Sequence, residues 1–540
     1  MKTLFKNINV VDVFNHEIKE CDVLIDDDKI ISIGKIDEIE NMVDCKGKYM
    51  YPSFIDTHLH FESSQLRPSE YLKLAIAYGT TAFIADPHEI TNVCGEDGIK
   101  FIKEDIKDIP ADIKIMMPSC VPATPLEYNK VKIDADETIR LTKKYDLYGL
   151  GEMMDIIGVL NDDKEVLKKI KYFKDNNMIV DGHAPLMSGI FLDKYILAGM
   201  YTDHEVFTKE EALERVSKGM TVQIRNGSAA KDVEKVIKAV NKDNISSFVF
   251  ATDDKEPEEL ASKGTIIDAV KKAIKSGIDK IDAIKIASLN GYRTYKLEKR
   301  GAIAIGYYAN FIIAPDLEFN KNLEVYYMGK LVAKDNVSLF EIKNASILNV
   351  TSTVNIKKIE LEDLKFNFDK SKPVMEIIPG SLITKKIYCK DDKELNRMYS
   401  IERHHKTGLI GKCFVKGFNL KNGAIAQTIS HDSHNIIALG NDEKDILDVI
   451  NALKTDGGIA IKVDGKITYL ELDIAGLMSS KPYAEVIKKR HELLEATHKL
   501  SMNNKINPLM LLSFLSLIVI PDIKLTCNGL YSIIERKYIE

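Results

Sequence analysis

The chain has 540 residues, of which 45% are hydrophobic, and it carries a formal net charge of −6 with an isoelectric point near 6.1. That length is enough for about three to four domain-sized units around a large core. Because the lysines are scattered among carboxylates, the sequence lacks the basic surface of a nucleic-acid binder, and we expect no nucleic-acid partner.

The cysteines and the apolar segments indicate the cellular compartment of the protein. Seven cysteines are widely spaced and form no C-x-x-C pair, which argues against a disulfide framework and against a zinc ribbon. The first residues lack the apolar core of a signal peptide, and the apolar run 509–520 is shorter than the ~20 residues of a membrane span. We therefore expect a cytoplasmic protein that has no membrane partner.

The chain begins with short segments in which apolar and polar residues alternate, and a regular alternation of strand-like and helical segments follows them. Segments 22–25 and 29–33 predict β-hairpins. From Phe54 onward, strand-like runs alternate with helical stretches, and eight such runs are counted: the strand that carries His58, then 81–85, 113–117, 148–151, 178–180, 200–202, 220–224 and 247–251. Eight repeats predict an α/β fold with a (β/α)8 barrel, in which functional groups lie where strands end.

The segments beyond the barrel predict two further units. A helix is expected around 281–295, and the run 301–313 then returns to a strand-like pattern that we expect to pair with the N-terminal hairpins. The predicted division is a small β-sandwich from residues 1–50 and 298–345, a catalytic barrel from 51–297, and a C-terminal α/β domain from 355–540.

Candidate metal ligands close the predicted strands. His58 and His60 share one face of their strand, because residues i and i+2 of a strand point the same way. Single candidates follow at later strand ends, namely Glu152, His183, His204 and Asp253. Imidazoles and carboxylates without thiolates suit Mn(II), Fe(II) or Zn(II) in a metal-dependent hydrolase better than a structural zinc site.

The number of candidates indicates two divalent ions rather than one. Six ligands are too many for a tetrahedral ion, so we expect two ions about 3.5–4 Å apart. The expected assignment is His58, His60 and Asp253 on one ion, His183 and His204 on the other, and Glu152 bridging both. A hydroxide would form between the ions at neutral pH, and Asp253 would shuttle its proton. Any one of these residues could instead be a surface histidine or a salt-bridge partner, but the full set favours a metal site.

Longer motifs surround these ligands. They are FESS (61–64), ADPHEI (85–90), GLGEMM (149–154), DGHAP (181–185), TDHE (202–205) and TDD (252–254), followed by ERHH (402–405), SHDSHN (430–435) and AGLMS (475–479). Together they resemble the adenine deaminase family of bacteria and archaea, within the amidohydrolase superfamily, over nearly the whole chain.

The resemblance implies hydrolysis of adenine to hypoxanthine and ammonia in purine salvage, at two metal ions often supplied as manganese or iron, in a homo-oligomer. Glu152 and Asp253 would then transfer protons. Asp86, His88 and Glu89 would form hydrogen bonds to the purine edge or assist the leaving group, although Asp86 could also cap a turn.

Two further groups have open roles. Arg225 and Ser228 lie in a loop that resembles a family loop over the substrate, but Arg225 could equally be a structural ion-pair residue. Four later histidines could form a second metal cluster, cover the barrel mouth or stabilise a subunit contact, and the structural role is favoured: His404, His405, His431 and His434.

Two absences separate the adenine deaminase branch from its relatives. Single-metal deaminases on this barrel usually carry a glutamate three residues after the fifth-strand histidine, where this chain has Leu186. Ring-opening relatives usually bridge their metals with a modified lysine, whereas the fourth strand here ends in Glu152. The alternatives are another cyclic amide or amidine hydrolase of the superfamily, and a non-catalytic binding protein.

Overall fold

The computed structural model describes residues 2–319, 322–379, 381–500 and 506–539. The strands in these ranges are β1 Lys2–Asp12, β2 Glu17–Asp26, β3 Lys29–Gly34, β4 Met42–Asp44, β5 Tyr49–Pro52, β6 Phe54–Leu59, β7 Thr80–Ala85, β8 Asp112–Ile115, β9 Gly149–Met153, β10 Ile179–Gly182, β11 Thr202–Asp203, β12 Thr221–Arg225, β13 Phe248–Ala251, β14 Phe311–Ala314, β15 Glu324–Tyr327, β16 Lys330–Lys334, β17 Val337–Ser338, β18 Val374–Ile377, β19 Thr384–Ile387, β20 Leu395–Ile401, β21 Ile410–Lys416, β22 Ala424–Gln427, β23 Ile436–Gly440, β24 Gly458–Val463, β25 Lys466–Glu471, β26 Ile523–Thr526, β27 Gly529–Ser532 and β28 Lys537–Tyr538.

The helices alternate with the strands in the middle of the chain. The α-helices are α1 Pro68–Ala77, α2 His88–Cys94, α3 Glu96–Asp105, α4 Ala135–Tyr145, α5 Ile156–Leu160, α6 Lys164–Asp175, α7 Gly189–Ala198, α8 Lys209–Ser217, α9 Val233–Val236, α10 Pro257–Lys263, α11 Ile266–Lys275, α12 Lys280–Lys285, α13 Gly291–Thr294, α14 Leu361–Leu364, α15 Glu443–Ala452, α16 Tyr483–Lys499 and α17 Pro508–Ser513. None of the described helices combines the length and the apolar character that crossing a membrane requires.

Strands β6 to β13 form a ring of parallel strands. Parallel pairing joins β6, β7 and β8, then β9 and β10, then β11, β12 and β13. A parallel bridge between Met117 and Leu150 links the first set to the second, and the Tyr201 N–H donates to the Val180 carbonyl at 2.9 Å to link the second to the third. A parallel bridge between Leu59 and Asp253 closes the ring. The chain therefore has a mixed α/β fold with a barrel-like centre, and its strands lie within about two residues of the predicted runs.

The ring strands form where the sequence is apolar without alternation. Every residue of β6, β7 and β13 is buried, as expected for parallel strands that are covered on both faces. The surrounding helices are amphipathic: α11 buries Ile266, Ile267 and Val270 on one face and ends in lysines. Helix starts are defined by caps, such as the Asp134 side chain that accepts from the Glu137 N–H.

A nine-stranded sheet contains both the N-terminal strands and the strands that follow the ring. Its order is β17-β16-β15-β14-β5-β1-β2-β3, with β4 pairing beside β1. The junction is antiparallel, with Phe311 opposite Pro52 and Ala314 opposite Tyr49. This junction ties the segment before the ring to the segment after it.

The C-terminal segment builds a separate sheet and packs on the ring. Eight strands pair in the order β19-β18-β21-β20-β23-β22-β24-β25, and β26 to β28 form a small antiparallel sheet. The Ser479 N–H donates to the Gln65 carbonyl at 2.9 Å, and buried Arg490 pairs with Glu256 and Glu258. Gln65 and Glu256 follow β6 and β13, so the C-terminal segment covers the carboxyl ends of the ring strands.

Candidate metal centre and active site

The six predicted ligands lie together at the carboxyl ends of the ring strands. Each is in a ring strand or follows one within one or two residues, and each side chain is almost completely buried: His58, His60, Glu152, His183, His204 and Asp253. Residues separated by up to 195 positions therefore meet because parallel strands end at the same edge of the barrel.

Glu152 is the centre of the arrangement, and its two oxygens face different histidines. Oε1 lies 3.3 Å from His60 Nε2 and 3.9 Å from His58 Nε2. Oε2 lies 2.6 Å from His183 Nδ1 and 3.2 Å from His204 Nε2. The carboxylate thus divides the histidines into two pairs, one on each oxygen.

Asp253 completes the first pair. Its Oδ1 lies 3.3 Å from His60 Nε2 and 3.9 Å from His58 Nε2. Ligand atoms that share one ion at about 2.0–2.2 Å lie roughly 3.0–3.5 Å apart in tetrahedral or octahedral geometry. The spacing of these donor atoms is close to that range, so the residues fit a divalent ion.

The hydrogen bonds of the rings leave lone pairs for metal binding. His60 Nδ1 contacts the Asp86 carbonyl at 2.9 Å, which places a proton on Nδ1 and a lone pair on Nε2. Within the described ranges, His58 Nε2, which faces Glu152 Oε1 and Asp253 Oδ1, is buried without a hydrogen-bond partner. Such an orphaned ring nitrogen is costly in a protein interior unless another group, such as a metal ion, binds it.

The electrostatic field of the site favours cations. Burial lowers the pKa of His60, but Asp253 and Glu152 outweigh it and raise that pKa well above the ordinary value. Burial raises the pKa of Glu152, yet His183, His204 and His60 together hold it well below its usual range. The ionised carboxylates that attract protons to the rings also suit divalent cations.

Asp86, which follows β7, binds the backbone of β9 rather than capping a helix. Its Oδ2 accepts from the Glu152 N–H at 3.0 Å, and α2 begins after Pro87 with no side-chain cap. The approach is so close that a Cβ at Gly151 would lie 1.9 Å from Asp86 Oδ2. Asp86 therefore makes a structural hydrogen bond, to the Glu152 backbone instead of to a turn, and its catalytic role stays a prediction. Glycine at 151 is what lets the carboxylate reach Glu152.

His88 and Glu89 lie at the rim of the same centre. His88 Nδ1 is 3.5 Å from Glu152 Oε1 and 3.7 Å from Asp86 Oδ1, and Glu89 Oε1 accepts from the Ser63 hydroxyl at 3.4 Å. Burial lowers the pKa of His88, but Cys120, Asp432 and Asp86 outweigh it and raise that pKa well above the ordinary value. These side chains can exchange protons and hydrogen bonds with a molecule bound beside Glu152.

Arg225 is an ion-pair residue in the structure. Its guanidinium contacts Glu205, donates to Asp253 Oδ2 at 3.1 Å and donates to Asp232 at 3.2 Å. This is the structural alternative considered for Arg225, and it also fixes the Asp253 carboxylate. A contact between Arg225 and the substrate stays a prediction.

Ser228 lies on the wall of a cavity beside the centre. Its hydroxyl donates to Glu259 at 2.9 Å and accepts from the Glu256 N–H at 3.0 Å. The cavity has a volume of about 40 Å³, and Asp254, His431 and Phe514 are among its other lining residues. A contact between Ser228 and a substrate in this cavity stays a prediction.

The later histidines divide between structural bonds and the barrel mouth. His404 Nε2 donates to the Ser433 carbonyl at 2.6 Å, and His405 Nε2 donates to the Asn129 carbonyl at 2.9 Å. His431 Nδ1 and His434 Nε2 face Glu89 at 3.3 and 3.9 Å. The four rings therefore do not converge on one ion.

Three acidic residues at the site were absent from the predicted set: Glu62 and Asp432 are buried, and Asp254 is partly exposed. Glu62 and Asp254 lie beside the ligands, burial raises the pKa of Glu62 to about 7 and that of Asp254 to about 6, and Asp432 faces His88 Nε2 at 3.8 Å. The available signal was their position inside the motifs FESS, TDD and SHDSHN. Acidic residues next to candidate ligands are seldom placed in a protein interior unless a charged partner or a functional role stabilises them.

Two family models match the chain. A family model for the amidohydrolase family matches residues 49–358, and one for the adenine deaminase C-terminal domain matches residues 380–537. The adenine deaminase of Clostridium acetobutylicum is 42% identical, with 99% of this chain and 97% of that protein aligned. The chain belongs to the adenine deaminase family. Among other adenine deaminases, those of Halalkalibacterium halodurans and Petrotoga mobilis are each 39% identical over 99% of this chain and over 95% and 96% of their own lengths.

Membership of the adenine deaminase family confirms the resemblance seen in the motifs. Among solved structures, an enamidase of the amidohydrolase superfamily aligns with 62% of this chain and 97% of its own at 16% identity, with a TM-score of 0.48. The sequence relatives, which span nearly the full length, carry the assignment to the adenine deaminase family.

Proposed function

We propose that the chain hydrolyses adenine to hypoxanthine and ammonia at a centre of two divalent metal ions. The observation that carries the proposal is the division of the histidines by Glu152, whose Oε1 faces His58 and His60 while Oε2 faces His183 and His204. Family membership and full-length relatives named adenine deaminase support the choice of substrate.

The proposed ligands follow from this division. His58, His60 and Asp253 would hold one ion, His183 and His204 the other, and Glu152 both. The nitrogen and oxygen donors suit Mn(II) first, with Fe(II) or Zn(II) as alternatives. When bound, the ions supply Lewis-acid activation of water at neutral pH.

Asp253 is the proposed base for the water that attacks the carbon bearing the amine. Its Oδ1 faces the ligand rings, and its Oδ2 is held by Arg225 at 3.1 Å. A carboxylate fixed at one oxygen presents the other in a defined orientation, which a general base needs. Glu152 would assist by exchanging a proton at its own carboxylate.

His88 is the proposed acid for the departing amine. Its Nδ1 points to the centre, 3.5 Å from Glu152 Oε1, with Asp86 beside it. A proton held on Nδ1 can pass to the amine nitrogen as the bond to carbon breaks, which releases ammonia. Asp86, Glu89, Arg225 and Ser228 would orient the purine edge and its surroundings through hydrogen bonds.

The setting of the enzyme is proposed with the reaction. We place it in cytoplasmic purine salvage as a homo-oligomer, without nucleic-acid or membrane partners. All seven cysteines are free, which is compatible with a reducing compartment. The division into units at 1–50 with 298–345, 51–297 and 355–540 stays a prediction.

The test is ammonia release from adenine by the purified chain reconstituted with Mn(II), against a chelated control. Cytosine, adenosine and hydantoin serve as alternative substrates, and bound metal is counted per chain. Metal-dependent ammonia from adenine alone is the expected result. Turnover of hydantoin instead would favour a ring-opening amidohydrolase, and a chain that binds no metal would favour a binding protein.

A further inference from the structure

The connection between β22 and β23, residues 428–435, carries polar side chains into the interior. His431 is 7% exposed, Asp432 is 2% exposed and His434 is fully buried. Connections between strands usually run over the surface, because buried polar groups must find partners. The polar side chains of this connection therefore require partners in the protein interior.

The connection is fixed from behind by the rest of the C-terminal segment. The Arg403 N–H donates to Asn435 Oδ1 at 3.1 Å, and the Arg403 side chain donates to the His434 carbonyl. The His431 N–H donates to the Ser513 carbonyl at 2.9 Å. A connection held at several points presents its side chains in one orientation.

Asp432 faces the ring of His88 from the side opposite to the metal centre. Asp432 Oδ1 lies 3.8 Å from His88 Nε2, while His88 Nδ1 faces Asp86 and Glu152 at 3.7 and 3.5 Å. Within the described ranges, Asp432 Oδ2 has no hydrogen-bond partner. The imidazole of His88 thus lies between barrel carboxylates on one side and a carboxylate of the C-terminal segment on the other.

A third metal site at Glu89, His431 and His434 is the competing explanation for this cluster. His434 Nδ1 accepts from the Ser430 N–H at 3.2 Å, so the neutral ring carries its proton on Nε2, the atom that faces Glu89. Burial lowers the pKa of His434 to about 3, which keeps the ring neutral. A protonated Nε2 cannot bind a metal, so His434 in this tautomer is not a metal ligand.

We propose that Asp432 is a positioning residue that orients the His88 imidazole and thereby completes the barrel site from the C-terminal segment. A carboxylate beside Nε2 restricts rotation of the ring, so that the other nitrogen, Nδ1, faces Glu152 and Asp86. The inference rests on the proposed function, in which His88 Nδ1 protonates the departing amine.

The test compares Asp432→Ala and Asp432→Asn with Ser433→Ala in the holoenzyme. Ser433 is the matched control, because it lies in the same connection and its hydroxyl accepts from the Asn435 side chain at 3.2 Å, not from His88 or Asp432. We expect Asp432→Ala to lower kcat for adenine by about 10–100-fold with KM and metal content little changed, as for residues that orient a working histidine. Asp432→Asn keeps an acceptor oxygen and recovers part of kcat, and Ser433→Ala keeps all of it.

An unchanged kcat in Asp432→Ala, or an equal loss in Ser433→Ala, would overturn the proposal. A crystal structure of the metal-loaded Asp432→Ala protein gives a second readout that needs no turnover, and we expect the His88 ring to rotate from its wild-type orientation. A ring that does not move overturns the proposal. A ring that moves in a protein whose wild type releases no ammonia from adenine contradicts the proposed function alone. If Asp432→Ala does not fold, the ring orientation in Asp432→Asn decides.

Discussion

Two groups of histidines meet at the barrel mouth, and they use their ring nitrogens differently. In the barrel group, His58 Nε2 has no hydrogen-bond partner within the described ranges and faces Glu152, and His60 Nδ1 contacts the Asp86 carbonyl while its Nε2 faces Glu152. In the C-terminal group, His404 donates to a carbonyl and His434 Nδ1 accepts from the Ser430 N–H. The nitrogens of His58 and His60 that face Glu152 can offer lone pairs to a cation, whereas the His434 nitrogen that faces Glu89 carries the proton.

The difference shows that residue type and burial do not distinguish a metal ligand from a structural histidine. Both groups are rich in histidine, both are buried, and both include a glutamate between two rings. What separates them is which ring nitrogen carries the proton, and that depends on the hydrogen bond made by the other nitrogen. This comparison can be tested by changing each group in turn.

The largest effect is expected for Glu152→Ala. Because Glu152 supplies one oxygen to each pair of histidines, its loss should empty both metal positions and reduce ammonia release to background. Metal content per chain and the adenine assay measure this. Glu62→Gln is the control, since Glu62 is a buried carboxylate whose Oε1 accepts from the Ile90 N–H. Retention of two ions in Glu152→Ala would contradict the role of Glu152 in holding metal ions with the barrel histidines.

Asp253→Ala should abolish turnover while the chain stays folded. The variant removes the proposed base and one ligand, but it leaves the strands of the ring intact. Circular dichroism reports the fold, and ammonia release reports the reaction. Turnover at the wild-type rate would remove Asp253 from the proton transfer.

His434→Ala should cost stability and leave the metal content unchanged. The Ser430 N–H would lose its acceptor in the interior, which costs about 1–3 kcal/mol. His434→Asn is the matched control, because its side-chain oxygen can accept from the same N–H and should restore part of the loss. Denaturant unfolding measures the stability, and loss of an ion in His434→Ala would place this histidine with the metal ligands after all.

An effect that depends on pH alone is expected at Lys524, a buried amine that donates to the Leu382 and Phe514 carbonyls at 2.8 and 3.0 Å. Burial lowers its pKa to about 7, whereas the unfolded chain keeps a pKa near 10.4. Between these values the unfolded state binds more protons, so Lys524 makes stability rise with pH, by at most about 1.4 kcal/mol per pH unit. Lys524→Met should lack this rise in unfolding experiments from pH 7 to pH 10, and an identical pH dependence in both proteins would contradict it.

The ring and its ligands could be predicted because their signals are local. Apolar runs without alternation mark buried parallel strands, and the ends of such strands meet wherever the ring closes. The strand predicted at 81–85 is found at Thr80–Ala85, and all six predicted ligands lie together.

Contacts between distant segments could not be predicted in this way. The partners of Arg225 and the approach of Asp432 to His88 depend on how packed units face one another. No periodicity along the chain encodes that orientation. The same limit applies to the hydrogen bonds that fix ring tautomers, because a backbone N–H such as that of Ser430 leaves no trace in residue type.

The close approach of Asp86 to the backbone at Gly151 has a consequence for laboratory evolution of this protein. Any side chain at position 151 would begin 1.9 Å from a carboxylate oxygen that is held by the Glu152 N–H. A saturation library at this position should therefore return glycine alone among active clones. A search for altered substrate range gains more from varying the cavity wall, where Ser228 and Phe514 lie, with codon 151 left untouched.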